Sequence, residues 1–237
     1  MSSADIEVIV FARPNRSLTI EERHAKVMSM MSRFDRPLGF SGLDLPPAPD
    51  CGDALSASFT VKFPIRGLRV IGDYLYRGAA YIYKDRSSFD ERLNFWFKIS
   101  NKNVDYKKIL NDQLPKVIEA FEGYKATVFY GFYSMDYHGG PDHDNPVYKS
   151  LFEDPGVDVN GRNNIYTLNP AQFWDEELCH RALGYGPDEV IARLQGECAS
   201  VERLMDGVYL VLNDDPHLSY EDFVEMNERI KPILGLI

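Results

Sequence analysis

The densest grouping of side chains able to do chemistry is Asp136-Tyr-His138-Gly-Gly-Pro-Asp142-His143-Asp144. Two imidazoles and three carboxylates are a ligand set for a divalent ion, and such an ion would support a hydrolase. The spacing follows neither the helical His-Glu-x-x-His pattern nor the calcium loop with its glycine and closing glutamate. Gly, Pro and Asp also supply an ordinary turn. Nucleophilic catalysis needs a base beside the nucleophile. Cys179 and His180 are adjacent, and adjacent residues on a helix point about 100° apart. Cys179 therefore reads as a small filler residue, and the isolated His24 and His217 read as structural. The chain has no Gly-x-Ser-x-Gly elbow, Walker loop or Gly-x-Gly-x-x-Gly turn. With 36 Asp and Glu, paired carboxylates are too common to nominate a glycosidase. The expectation is a protein that is not an enzyme and has no catalytic residue, cofactor or metal ligand. The alternative is a metal-dependent hydrolase using the Asp136–Asp144 loop.

The 237 residues are 44% hydrophobic, enough to bury a core without disulfides or metals. The net charge of -10 argues against nucleic acid as a partner, because phosphate contacts need a basic surface. No apolar run approaches a membrane span. The start, MSSADIEVIVF, has neither the basic region nor the long apolar stretch of a secretory leader. Cys51, Cys179 and Cys198 lie far apart with no Cys-x-x-Cys pair, which points to a reducing compartment and a cytoplasmic location. Residues 1–135 hold 19 Lys/Arg and 16 Asp/Glu, a net +3, whereas residues 136–237 hold 7 and 20, a net -13. A segment that acidic either solubilises the molecule or steers a basic partner onto it.

The elements follow from periodicity. Residues 6–11, the alternating run 55–63, residues 92–99 and residues 125–133 predict strands. Thr19 and Glu22 have capping-box spacing for a helix over 19–34. Asp105 begins a second helix to Phe121, with a kink or break expected at Pro115. Residues 68–83 fit a hairpin or a short helix plus strand. Residues 136–163 read as a long loop of the functional or mobile kind. A short strand is expected over 165–168 and a helix from Pro170. Asp206-Gly207 signals a hairpin, and Ser219 caps a last helix to about Arg229, ended by Pro232. The fold class is α+β, with a mixed or mainly antiparallel sheet packed against three to four amphipathic helices in a single domain over 1–237 that has two possible sub-halves at 1–135 and 136–237.

Two helical faces stand out. On a wheel over 170–183, Ala171, Trp174, Leu178 and Ala182 face the core, while Phe173, Glu176, Glu177 and His180 face away. An aromatic among acids has the composition of an interface anchor with a charged rim, unless Phe173 packs beneath the preceding loop. On the last helix Tyr220, Phe223, Met226 and Ile230 point inward, opposite Glu221, Glu225 and Glu228. Those three like charges repel along the helix, so local stability gives no reason for the stripe.

The C-terminal third carries a resemblance. Asn169-Pro-Ala-Gln-Phe173-Trp174-Asp-Glu-Glu-Leu, Leu183-Gly-Tyr-Gly186, Leu204-Met-Asp206-Gly207-Val-Tyr-Leu-Val-Leu-Asn213 and Lys231-Pro232-Ile-Leu-Gly235 resemble the immunity protein 52 family of bacterial polymorphic-toxin systems, including those of type VI secretion. The resemblance is strongest over 125–237 and implies a protein that neutralises a cognate toxin, commonly a nuclease, by binding it. It fixes no binding residues. Charge and exposure instead nominate Phe173, Glu176, Glu177, Glu221, Glu225, Glu228, Asp142, Asp144, Glu153 and Asp154 as partner-binding. A structural component of a secretion system is a further reading of the same charge. No preference for an oligomeric state emerges.

Overall fold

The computed structural model describes residues 5–50 and 54–236. Cys51 and the first four residues lie outside them. The chain is α+β and divides into two compact units after Ala126. Residues 127–135 carry no Lys, Arg, Asp or Glu, so the first unit keeps the +3 and the second the -13.

In the first unit, β1 (Asp5–Ala12), β2 (Ser56–Val61), β3 (Arg69–Leu75) and β4 (Glu91–Lys98) lie in the order β2-β3-β4-β1. All three pairings are antiparallel. Alternation sorts the residues by face: Ile6, Val8 and Val10 of β1 are buried, as are Leu93, Phe95 and Phe97 of β4. They meet Val27 and Met31 of α1 (Ile20–Met31) and Val117, Ile118 and Phe121, at the end of the second long helical stretch. The Thr19–Glu22 capping box is present. Phe59 stands opposite Gly72, where a Cβ would fall 2.1 Å from the ring, so only glycine admits that aromatic. The ambiguous residues 68–83 resolve into β3 and the short α2 (Ala79–Ile82). The helix broken by Pro115 becomes α3 (Tyr106–Lys108), a wider π turn over Ile109–Gln113, and α4 (Leu114–Phe121), in which Pro115 occupies the first turn where no amide is needed.

The boundary falls within β5 (Lys125–Tyr130). The second unit has the strand order β5-β6-β8-β7, with β6 (Ala171–Trp174), β7 (Ser200–Leu204) and β8 (Gly207–Val211). β7 and β8 form the hairpin that Asp206-Gly207 signals. Gly207 is required there, since a Cβ would fall 2.2 Å from the Trp174 carbonyl oxygen. β6 and β8 are buried at every position, as strands covered on both faces are. Around them lie α5 (Tyr133–Tyr137), α6 (Pro146–Glu153), α7 (Glu176–Leu183), α8 (Pro187–Leu194) and α9 (Tyr220–Leu234).

Four expectations change. The helix expected from Pro170 is a strand to Trp174 followed by α7, because Asp175 caps the helix by accepting from the Leu178 amide at 2.7 Å. Residues 165–168 form no strand. The 136–163 stretch contains α5's last turn and all of α6. α9 runs through Pro232 and ends at Gly235, whose left-handed φ of 71° and amide close the last turn onto Lys231 and Pro232.

Candidate partner-binding surface

The residues Asp136–Asp144 fold back on themselves instead of opening toward an ion. Gly139 and Gly140 adopt φ of 93° and 77°, and a Cβ on Gly139 would lie 2.2 Å from the Asn145 amide nitrogen. That close turn lets the Asn145 amide donate to the His138 carbonyl at 3.0 Å. Asn145 then starts α6, its Oδ1 accepting from the amides of Val147 and Tyr148 at 3.0 and 3.2 Å. The outcome is an aromatic stack. His138 lies on Tyr148, His143 sits 5.0 Å from the Tyr148 ring and 5.5 Å from Phe152, and Tyr166 meets Tyr148 edge-on. His138 Nε2 is 2.6 Å from Thr167 Oγ1. Burial, followed by the nearby His143 and Lys231, pushes the His138 pKa down to about 4. Among the described residues no three His, Cys, Asp or Glu side chains group as a metal site requires.

α9 is tied to the same cluster. Tyr133 of α5 packs against Tyr220 and Phe223 of α9, with centroids 5.4 and 5.7 Å apart. Lys231, on the buried side of α9, places its amine 3.8 Å from the centre of the Tyr166 ring and 4.8 Å from that of Tyr137. Burial holds its pKa down at about 8. The surrounding acids register in the tyrosines. The Tyr133 pKa is raised by burial first and then by Glu221, Asp136 and Asp222. That of Tyr137 is pushed up to about 12 by burial, then by Tyr166, Glu228 and Tyr220. One aromatic cluster thus underlies both α6, which bears Glu153, and α9, which bears Glu221, Glu225 and Glu228.

Of the nominated residues, Asp142, Asp144, Glu153, Asp154, Glu221, Glu225 and Glu228 are exposed and belong to the elements built on this cluster. Glu176 and Glu177 are also exposed, but on α7, which packs chiefly on β6, β8 and α8. There Glu177 pairs with Arg181 at 3.1 Å and Glu176 approaches His180 at 3.8 Å. Phe173 is the exception. It is fully buried on β6, opposite Tyr209, and a ring without surface cannot meet a partner. The helical wheel that turned it outward does not apply to a strand. Phe152 of α6 has the qualities sought in Phe173. It is 58% exposed, followed by Glu153 and Asp154, and braced by His143 and Tyr148. In the sequence its segment reads as loop, which hides it; an aromatic immediately before two acids is the available signal.

No protein-family model matches the chain, and no curated protein matches it. Among solved structures it is similar to the Pseudomonas aeruginosa T6SS protein PA0821, with 17% identity and a TM-score of 0.51 over 97% of this chain and 73% of that one. At that identity the likeness is one of fold. Among the described residues no helix is long and apolar enough to cross a membrane.

Proposed function

We propose that the chain is an immunity protein that binds and neutralises a secreted toxin of a type VI system, a basic protein of the nuclease class, in the cytoplasm of the producing cell. The observation that carries this reading is the surface of the second unit. Exposed Phe152 stands among exposed acids, on a frame of stacked rings. Such a surface suits a basic partner, since complementary charge speeds encounter and a central aromatic supplies contact area. The fold likeness to a type VI secretion protein supports it. The test is co-expression with the product of the neighbouring gene. Co-purification and relief of toxicity are expected; a pair that does neither rules the reading out.

A further inference from the structure

The first unit carries a feature of opposite sign. At the end of its sheet where β1 begins and β4 ends, an open groove of about 950 Å³ is lined by Arg66, Arg69, Lys98 and Lys102, against a single carboxylate, Asp5. We propose that this groove binds an oligophosphate, a chain of two or more linked phosphoryl groups, either free or borne by a nucleotide.

The groove is held in shape by its loops. The Asn101 amide group donates to the Arg66 carbonyl at 3.0 Å, and its Oδ1 accepts from the Asn103 amide at 3.1 Å. One side chain thereby joins the β2–β3 loop to the turn after β4. Gly67, at φ 83°, lets the first of these loops turn sharply beside Arg66. The floor is Trp96, with the Arg69 guanidinium 4.3 Å over its ring. Glu7, opposite Trp96 in register, takes up part of the Arg69 charge. The rest is unspent. Arg66, Arg69 and Lys102 have no carboxylate within ion-pair distance among the described residues, and Lys98 reaches Asp5 only at 4.0 Å. Elsewhere in the chain arginines are commonly paired, as in Arg23–Glu91, Arg193–Glu189, Arg203–Asp188 and Arg229–Glu197.

Four cations along one groove exceed what a single phosphate satisfies, and the volume lies in the range of about 300–1,000 Å³ usual for small-ligand sites. Arginine forks suit phosphoryl oxygens, and lysines add point charge. Extended nucleic acid is disfavoured, because the molecule as a whole carries -10.

The experiment is calorimetric titration of the full chain with tripolyphosphate, ATP, inorganic phosphate and adenosine, at low and high salt. Tripolyphosphate and ATP are expected to bind, inorganic phosphate more weakly, and adenosine not at all. ATP binding tighter than tripolyphosphate would assign a nucleotide; equal binding would assign the phosphate chain alone. The exposed pair Arg66→Glu and Lys102→Glu should weaken binding by about tenfold or more, and the milder Arg66→Gln with Lys102→Gln by less, with melting temperatures unchanged. The proposal is overturned if neither oligophosphate binds below the millimolar range, or if Lys149→Glu, on α6 of the second unit, weakens binding as much as the groove pair does.

Discussion

The imidazole of His138 lies flat on the ring of Tyr148, centroids 3.8 Å apart and planes within 8° of parallel. Stacked there, and 2.6 Å from the Thr167 hydroxyl, it is held neutral. Its pKa near 4 sits below the 6.5 of a free imidazole, so between those values the unfolded chain binds the extra proton. Stability from this group is present above pH 6.5 and is lost as the pH falls toward 4, by about 3 kcal/mol in all. His24, also held below its ordinary value by burial, acts in the same direction. Melting curves between pH 7 and 4 should show a steeper acid loss for the parent than for His138→Gln. Parallel curves would mean that His138 titrates normally.

Phe152 separates surface from core. Its exposed ring gives little to folding, so Phe152→Ala should alter stability by no more than about 0.5 kcal/mol. Against the cognate toxin the same change should cost about 1–3 kcal/mol of affinity, through faster dissociation. Surface plasmon resonance with the purified toxin measures both rates; an unchanged dissociation rate would remove Phe152 from the interface.

Phe173 should behave in the opposite way. Truncating a fully buried ring between strands leaves a cavity, and Phe173→Ala should lower unfolding free energy by about 3–5 kcal/mol in a urea titration. A change under about 1 kcal/mol would contradict its placement in the core.

The acidic faces divide by element. Lys in place of Glu221, Glu225 and Glu228 should slow toxin association, and the deficit should shrink as salt shortens the Debye length from about 10 Å at 0.1 M. Lys in place of Glu176 and Glu177 should slow it less, since those acids already face His180 and Arg181. Parental on-rates for both variants at every salt concentration would reduce the acids to a solubilising coat.

Period and punctuation carried most of the fold. Strands such as β2 and β4 alternate cleanly, and Thr19–Glu22, Asp206-Gly207 and Ser219 mark their turns and caps as local chemistry requires. What escaped was decided at longer range. Pro170–Trp174 has helical spacing, but pairing with β8 makes it a strand. Arg23 sits on the buried face of α1 because Glu91, distant in sequence, meets its Nε at 3.0 Å. The candidate surface was half visible. Its acids could be named from composition and helical face, whereas the stack beneath them depends on Tyr148 and Tyr166 coming together around His138, which no local pattern announces.

Asn227, on the buried side of α9, accepts from the Leu168 amide and donates to the Leu168 carbonyl, each at 2.9 Å. One side chain thus does for Leu168 what a neighbouring strand would do, and fastens the segment before β6 to the helix bearing Glu221, Glu225 and Glu228. The face proposed to dock the toxin is thus braced from within before anything arrives. Its association should be nearly free of the ordering entropy that flexible loops lose, and selectivity would then rest on fit rather than on adaptation: a partner whose basic groups are misplaced by a helical turn meets a surface that does not rearrange to receive it.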